Sequence, residues 1–131
     1  MVIVAFMAAL LSAAPLTAQG TKDGPELVML ALVKAIDHPN FQLMIDFYHL
    51  ASEHEDPAIV LEARDHIRHL HMANPQGRVF PLAWDEYDYA PFFANLRAIA
   101  YNRRISVEAA SKDLPSEAPR AIALLRAAFE R

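Results

Sequence analysis

Short apolar runs, separated by prolines and polar turns, fill most of this chain, and their spacing predicts helices. The run from Leu27 to Val33 is apolar on nearly every side, and Pro25 stands before it, where the first turn of a helix tolerates proline. A helix without a polar face belongs at the centre of the packing. The pattern therefore predicts a central helix over residues 25–36.

Two amphipathic segments follow, over residues 41–53 and 57–72. Apolar residues recur three and four positions apart in both segments, a spacing that places them on one face of a helix. In the first segment they are Phe41, Met44, Ile45, Tyr48 and Ala51, and in the second they are Val60, Ala63, Ile67 and Leu70. Because only a short turn joins the segments, we expect two helices packed antiparallel.

The remaining pattern predicts a helix over residues 91–102, a short helical turn from Ser106 to Lys112, and a last helix that begins at residue 116 or 119 and ends at residue 129. The chain has only three glycines, and no Asn-Gly or Asp-Gly pair lies between alternating strands, so hairpins are not indicated. We therefore predict an all-α fold, a compact bundle of about five helices.

The third predicted helix has a local resemblance to a known repeat. Its matching residues are Asp56, Pro57, Ile59, Ala63, Ile67 and Leu70. They resemble the second helix of a HEAT repeat, although Val60 stands where that repeat usually has arginine. A solenoid needs about three or more stacked repeats, and the chain has no second good copy. The predicted bundle is therefore either irregular or made of HEAT-like antiparallel helix pairs.

Residues 1–18 differ from the rest because they carry no charge, and an apolar run there is followed by small residues and Pro15. This anatomy is typical of a secretory signal peptide, although no basic residue precedes the run. We predict a signal peptide over residues 1–18, one all-α domain over residues 19–131, and an exported protein, periplasmic or secreted from a bacterium. The alternatives are a cytoplasmic protein with a buried N-terminal helix, and a retained segment that anchors the protein to a membrane.

Composition excludes several classes of function. The chain has no cysteine, so it has no disulfide, zinc ribbon or thiol nucleophile. Its net charge is −4, and residues 37–88 hold ten acidic side chains against three basic ones. The one basic doublet is Arg103-Arg104, and no basic stripe exists, so nucleic-acid binding is not predicted. The acidic middle of the chain favours cations or a basic partner.

Polar stripes on the second and third predicted helices offer metal ligands. They are Asp46, His49 and Glu53 on the second helix, and Glu62, His66 and His69 on the third. If the stripes face each other, these carboxylates and imidazoles can hold zinc or another divalent transition metal. If the apolar faces are buried instead, both stripes face solvent. A divalent-metal-binding protein is therefore the alternative function.

The connection over residues 78–92 interleaves aromatic and acidic side chains. The residues that we expect to contact a partner are Phe80, Trp84, Asp85, Glu86, Tyr87, Asp88 and Tyr89. Aromatic faces among carboxylates can recognise a protein or peptide, above all a basic one. The sequence shows no nucleophile elbow, phosphate loop or dinucleotide fingerprint. The first prediction is therefore an exported binding protein without a catalytic site or cofactor.

Overall fold

A parallel β-sheet forms the framework of the protein. The computed structural model describes residues 24–131 and the short strand Ile3–Val4. The strands are β1 (Ile3–Val4), β2 (Phe41–Asp46), β3 (Ile67–Met72) and β4 (Arg104–Val107). All neighbouring strands are parallel, and the strands lie in the order β1-β2-β3-β4. The spatial order is therefore the order along the chain.

Helices connect the successive strands, as parallel pairing requires. They are α1 (Pro25–Ile36), α2 (Phe47–Ser52), α3 (Ile59–Glu62), α4 (Ala90–Ala98) and α5 (Leu114–Glu130), and a 3₁₀ turn covers Trp84–Glu86. Within the described residues, no helix combines the length and the apolar character needed to cross a bilayer. The repeated strand–helix order makes the fold α/β.

The sheet buries one face against the helices. Strand side chains alternate between faces, and Leu43, Ile45, Leu70 and Met72 are all at most 3% exposed. They join one core with apolar side chains of the helices, which include Leu30, Val33, Phe47, Phe92, Phe93 and Leu96. The opposite face carries the alternate residues of the strands, most of which are polar. The polar residues of this face are candidates for a functional site.

The prediction of an all-α helical bundle, irregular or HEAT-like, is wrong. Residues 41–46 and 67–72, both predicted as parts of helices, are the central strands β2 and β3, and the predicted turn after Ser106 overlaps β4. Short apolar runs fit helix and buried strand alike, and a strand buried in a parallel sheet lacks a clean alternation. Helices α1, α4 and α5 do lie close to their predicted positions.

The signal peptide predicted over residues 1–18 lies outside the described residues except for Ile3–Val4. Those two residues form β1, which pairs with β2 at Phe41 and Gln42. A place in the sheet gives no support to a signal peptide. The single all-α domain predicted over residues 19–131 is replaced by the α/β arrangement of strands and helices.

Candidate metal centre

Three side chains of ligand type meet where three neighbouring strands end. Asp46 is the last residue of β2, His71 lies near the end of β3, and Glu108 directly follows β4. The carboxyl ends of parallel strands share one edge of a sheet, which brings these residues together. One ligand atom from each residue lies within 4.8 Å of the others.

Local hydrogen bonds orient the three side chains. Oδ1 of Asp46 accepts from the backbone N–H of Tyr48 at 2.9 Å and thereby caps α2. Nδ1 of His71 lies 2.7 Å from Oε2 of Glu108. The side chains of Asp46 and His71 are 8% and 16% exposed, whereas that of Glu108 is 41% exposed. Asp46 and His71 are therefore largely buried, whereas Glu108 is accessible to an incoming molecule.

Arg78 supplies the positive charge beside the two carboxylates. Its Nη2 lies 3.4 Å from Oδ2 of Asp46 and 3.0 Å from Oε2 of Glu108. The guanidinium also lies 4.9 Å from the centre of the Tyr48 ring, a cation–π distance. The backbone N–H of Ala110 donates to the Arg78 carbonyl at 2.8 Å. Contacts from three sides therefore hold Arg78 over the site.

A buried asparagine fixes the loop that carries Arg78. Asn74 is 5% exposed, and its backbone N–H donates to the Val79 carbonyl at 2.8 Å. Its side-chain Nδ2 donates to Oε2 of Glu86 at 3.2 Å, and the same oxygen accepts from the backbone N–H of Leu82 at 3.0 Å. Glu86 thus ties the start of the loop to the segment that follows it.

One layer deeper in the sheet, His69 contacts Ser106. Nε2 of His69 lies 2.9 Å from Oγ of Ser106, and the rings of His69 and His71 are 5.2 Å apart and nearly perpendicular. Burial, together with the positive charges that His71 and Arg104 can carry, lowers the pKa of His69. The neutral imidazole is therefore favoured at this position.

A buried acid lies behind Asp46. Glu26, in the first turn of α1, is 9% exposed, and its backbone N–H donates to Oε1 of Glu55 at 3.0 Å. Burial raises the pKa of Glu26 to about 7, and the charges of Glu55 and Asp46 act in the same direction, whereas a hydrogen bond from the Asp46 backbone lowers it. The Glu26 carboxyl thus titrates close to neutral pH.

The donor set fits a divalent metal ion. Two carboxylates and an imidazole are ligands that divalent transition metals accept, and three protein ligands leave positions for a substrate or water. Asp46, His71 and Glu108 form the one group of three or more such side chains within ligating distance of one another among the described residues. The expectation of a divalent metal is therefore supported in its general form.

The six residues of the predicted helical stripes do not converge. Asp46 belongs to the cluster, and Nε2 of His49 lies 4.0 Å from its Oδ2. His69 lies one layer below, and His66 lies in the turn before β3. Glu53 and Glu62 line a different cavity, of about 650 Å³, near the start of α1. Two facing helices, the basis of the stripe hypothesis, do not exist here, because most of these residues lie on strands, turns or helix ends.

The aromatic and acidic residues predicted to contact a partner lie mainly in the packing. Phe80 and Tyr89 are buried, whereas Trp84 and Tyr87 are half-buried against the core. Trp84 lies 5.9 Å from Tyr89 between ring centres. Asp85 and Asp88 are exposed, and Glu86 holds the loop at Asn74. The aromatic residues among them attach the connection between β3 and α4 to the core.

Sequence reasoning missed His71, Arg78 and Glu108 as members of one site. Glu108 directly follows β4, and His71 lies between the buried residues Leu70 and Met72 near the end of β3, so a polar side chain at the end of a short strand is the signal that would have found these two residues. Arg78 follows Gly77 in the sequence Asn-Pro-Gln-Gly-Arg, which reads only as a turn. Without the strands, nothing in the spacing brings these residues together.

Comparison with known proteins gives the same fold. The family model described as xylose isomerase-like TIM barrel matches residues 15–128. The chain is similar to D-allulose 3-epimerase from Methylomonas sp. in complex with D-allulose, with 25% identity and a TM-score of 0.71 over 81% of this chain and 43% of that one. It is also similar to 3-keto-D-glucoside 4-epimerase from E. coli, with 28% identity and a TM-score of 0.61 over 75% of this chain and 39% of that one.

An L-ribulose 3-epimerase shares the fold, with 21% identity and a TM-score of 0.66 over 77% of this chain and 40% of that one. No curated protein sequence matches significantly. The chain thus spans about two fifths of the length of the epimerases that it matches. The prediction of a helical interaction protein without a catalytic site, and its alternative of metal-binding stripes on two adjacent helices, are wrong, because the chain matches a TIM-barrel family and its structural neighbours are named as sugar epimerases. The match over residues 15–128 means that the chain belongs to the xylose isomerase-like TIM barrel family.

Proposed function

We propose that this chain supplies the metal-binding part of an enzyme that epimerises or isomerises a keto sugar. The observation that carries the proposal is the meeting of Asp46, His71 and Glu108 at the carboxyl edge of the sheet. Catalytic residues of TIM barrels lie at this edge. Two structural neighbours at 25% identity or more are named as sugar epimerases, which supports the reaction class.

Asp46, His71 and Glu108 would hold a divalent transition metal, for which Zn²⁺, Mn²⁺ and Co²⁺ suit a mixed set of carboxylates and imidazole. When bound, such an ion supplies Lewis acidity toward a substrate carbonyl oxygen. Asp46 is suited to a purely ligating role, since it is buried and one of its oxygens already caps α2. The substrate would approach from the side of Glu108.

We assign to Glu108 the removal of the substrate proton. Epimerisation next to a carbonyl removes a proton from one face of the carbon, with the electron pair moving to the carbonyl oxygen, and a second acid on the other side of the substrate then returns a proton to the opposite face. A carboxylate that acts as the base must reach the substrate. Glu108 is 41% exposed at its side chain and Asp46 only 8%, so Glu108 is the accessible carboxylate of the cluster.

Arg78 and His49 flank the cluster and would bind the substrate. Arg78 offers guanidinium N–H donors beside Glu108, and its charge favours an oxygen that gains negative charge as the proton leaves. His49 lies at the start of α2, with its side chain 54% exposed and Nε2 4.0 Å from Asp46. Both side chains can donate hydrogen bonds to hydroxyl or carbonyl oxygens of a sugar.

The proposal is tested by exchange of substrate protons with solvent. We would incubate the chain with Mn²⁺ and D-allulose or D-fructose in deuterium oxide, and follow loss of the proton signal at C3 by NMR. The expected result is exchange that Glu108→Gln abolishes and that a chelator stops. Exchange detects proton removal even where product release is slow.

The matched control is Glu62→Gln, which makes the same chemical change at an exposed carboxylate in another cavity. It should leave both exchange and metal binding unchanged. Metal binding by the Glu108→Gln variant is measured separately by calorimetry, since loss of the ion would also stop exchange. If the chain binds no divalent metal, or if Asp46→Asn and His71→Ala bind metal as the wild type does, the proposed site is wrong.

A further inference from the structure

The polar face of the sheet repeats one side-chain relationship in two layers. In the upper layer, His71 of β3 contacts Glu108, which follows β4. In the lower layer, His69 of β3 contacts Ser106 of β4. His69 is two residues before His71, and Ser106 is two residues before Glu108, so all four side chains project from the same face of the sheet. The lower pair lies directly beneath two of the three ligands.

The lower pair joins the strands that supply those ligands. Ser106 is also the register partner of His71, so the hydroxyl is anchored on the backbone beside the ligand. Nε2 of His69 lies 2.9 Å from Oγ of Ser106, and this contact restricts rotation of the His69 ring. That ring lies 5.2 Å from the His71 ring at an interplanar angle of 86°. The restrained His69 ring therefore limits how far the His71 ring can turn.

We propose that His69 and Ser106 form a positioning pair that sets the ring orientation of His71 for metal binding. This inference rests on the proposed function, because it gives the pair a task only if His71 is a ligand. A ligating imidazole must direct one nitrogen at the ion, and the groups around a ligand that fix its ring raise metal affinity. The pair would act through His71 and would not itself bind the ion.

The test compares metal affinity with stability in the absence of metal. Ser106→Ala removes the hydroxyl and keeps the backbone, and His69→Phe keeps a ring of similar size without Nε2. Each variant should bind Co²⁺ about tenfold or more weakly by calorimetry, which is the range measured for groups that orient metal ligands. Ser106→Thr retains a hydroxyl and should restore the affinity. The visible absorption of bound Co²⁺ should also change in the two weakened variants, because it reports ligand geometry.

Met44 provides the packing control. It is the register partner of His69 on β2 and lies in the same layer, but it does not belong to the hydrogen-bonded pair. Met44→Ala should lower the metal-free melting temperature and leave Co²⁺ affinity within about twofold of the wild type. If Met44→Ala weakens Co²⁺ binding as much as Ser106→Ala does, the pair only fills the layer, and the positioning role is overturned.

His71→Ala separates failure of this inference from failure of the proposed function. If His71→Ala abolishes Co²⁺ binding while Ser106→Ala and His69→Phe bind as the wild type does, the positioning pair is wrong and the metal site stands. If His71→Ala itself binds Co²⁺ normally, the metal site is wrong, and the positioning pair falls with it.

Discussion

Nδ1 of His71 lies 2.7 Å from Oε2 of Glu108, although 37 residues separate them in the sequence. This contact joins the ends of two neighbouring parallel strands. An imidazole and a carboxylate held at this distance can exchange a proton or turn together toward one cation. The pairing of β3 with β4 creates this relationship, since His71 lies on β3 and Glu108 directly follows β4.

Divalent metal should raise the melting temperature of the chain. A ligand that binds only the folded state stabilises it by about 2.7 kcal/mol at a hundredfold excess over its dissociation constant. We expect Asp46→Asn to remove most of the rise produced by Co²⁺ or Zn²⁺, measured by calorimetric melting. Glu53→Gln, which alters a carboxylate of the other cavity, should retain the rise. Equal loss in both variants would indicate nonspecific binding by acidic side chains.

Burial of Glu26 should make stability depend on pH. Its folded-state pKa is raised from 4.5 to about 7, so the unfolded chain loses this proton first as the pH rises. The stabilising effect is complete below about pH 4.5 and is lost as the pH rises through about 7. At 1.36 kcal/mol per pKa unit the loss is about 3 kcal/mol.

Glu26→Gln removes the titrating group and keeps a side chain of similar shape. We expect the difference in unfolding free energy between wild type and variant, measured with urea, to change in favour of the variant from pH 5 to pH 8. Other acids titrate in both proteins and cancel in this difference. A difference that is constant with pH would show that Glu26 keeps an ordinary pKa.

Gly77 should be required for the loop that presents Arg78. Its φ angle is +87°, a region that L-residues rarely adopt, and Arg78 follows with a φ of +52°. Gly77→Ala should therefore cost about 1 kcal/mol or more of stability and weaken substrate binding more than metal binding. Gly77→Asn should cost less, because asparagine accepts positive φ more readily. Urea unfolding and calorimetry on both variants would check this ordering.

Removing the Tyr89 hydroxyl should not destabilise the protein. Tyr89 is fully buried, and its hydroxyl has no hydrogen-bond partner among the described residues. Burial, together with the charge of Glu86, raises its pKa. Tyr89→Phe removes an unsatisfied polar group and keeps the ring contacts with Phe47 and Trp84, so its melting temperature should equal or exceed that of the wild type. A marked fall would indicate a partner for the hydroxyl.

The helices could be predicted from the sequence better than the sheet. Pro25 and the run that follows it correctly predict α1, because a proline at the first turn and a long apolar segment favour one structure. In contrast, the apolar residues of Phe41–Asp46 have the spacing of a helix, but the segment has the length of a strand. Pairing between distant strands decides the outcome there, and that pairing is not visible in a local pattern.

The candidate site was harder to predict for the same reason. The sequence predicts Asp46, His49 and His69 as metal ligands, but helical spacing groups them with Glu53, Glu62 and His66. The structure groups Asp46 with His71 and Glu108, which lie 25 and 62 residues further along the chain. Only the register of β2, β3 and β4 brings these three residues together.

The parallel register also gives a bound ion a second effect. Asp46, His71 and Glu108 come from or directly follow three neighbouring strands, so an ion held by all three would crosslink β2, β3 and β4. A slip of one residue in any strand would turn that ligand to the other face of the sheet. Metal binding would therefore stabilise the correctly paired sheet relative to slipped alternatives. During folding, the cation would thus favour the correct alignment of the three strands.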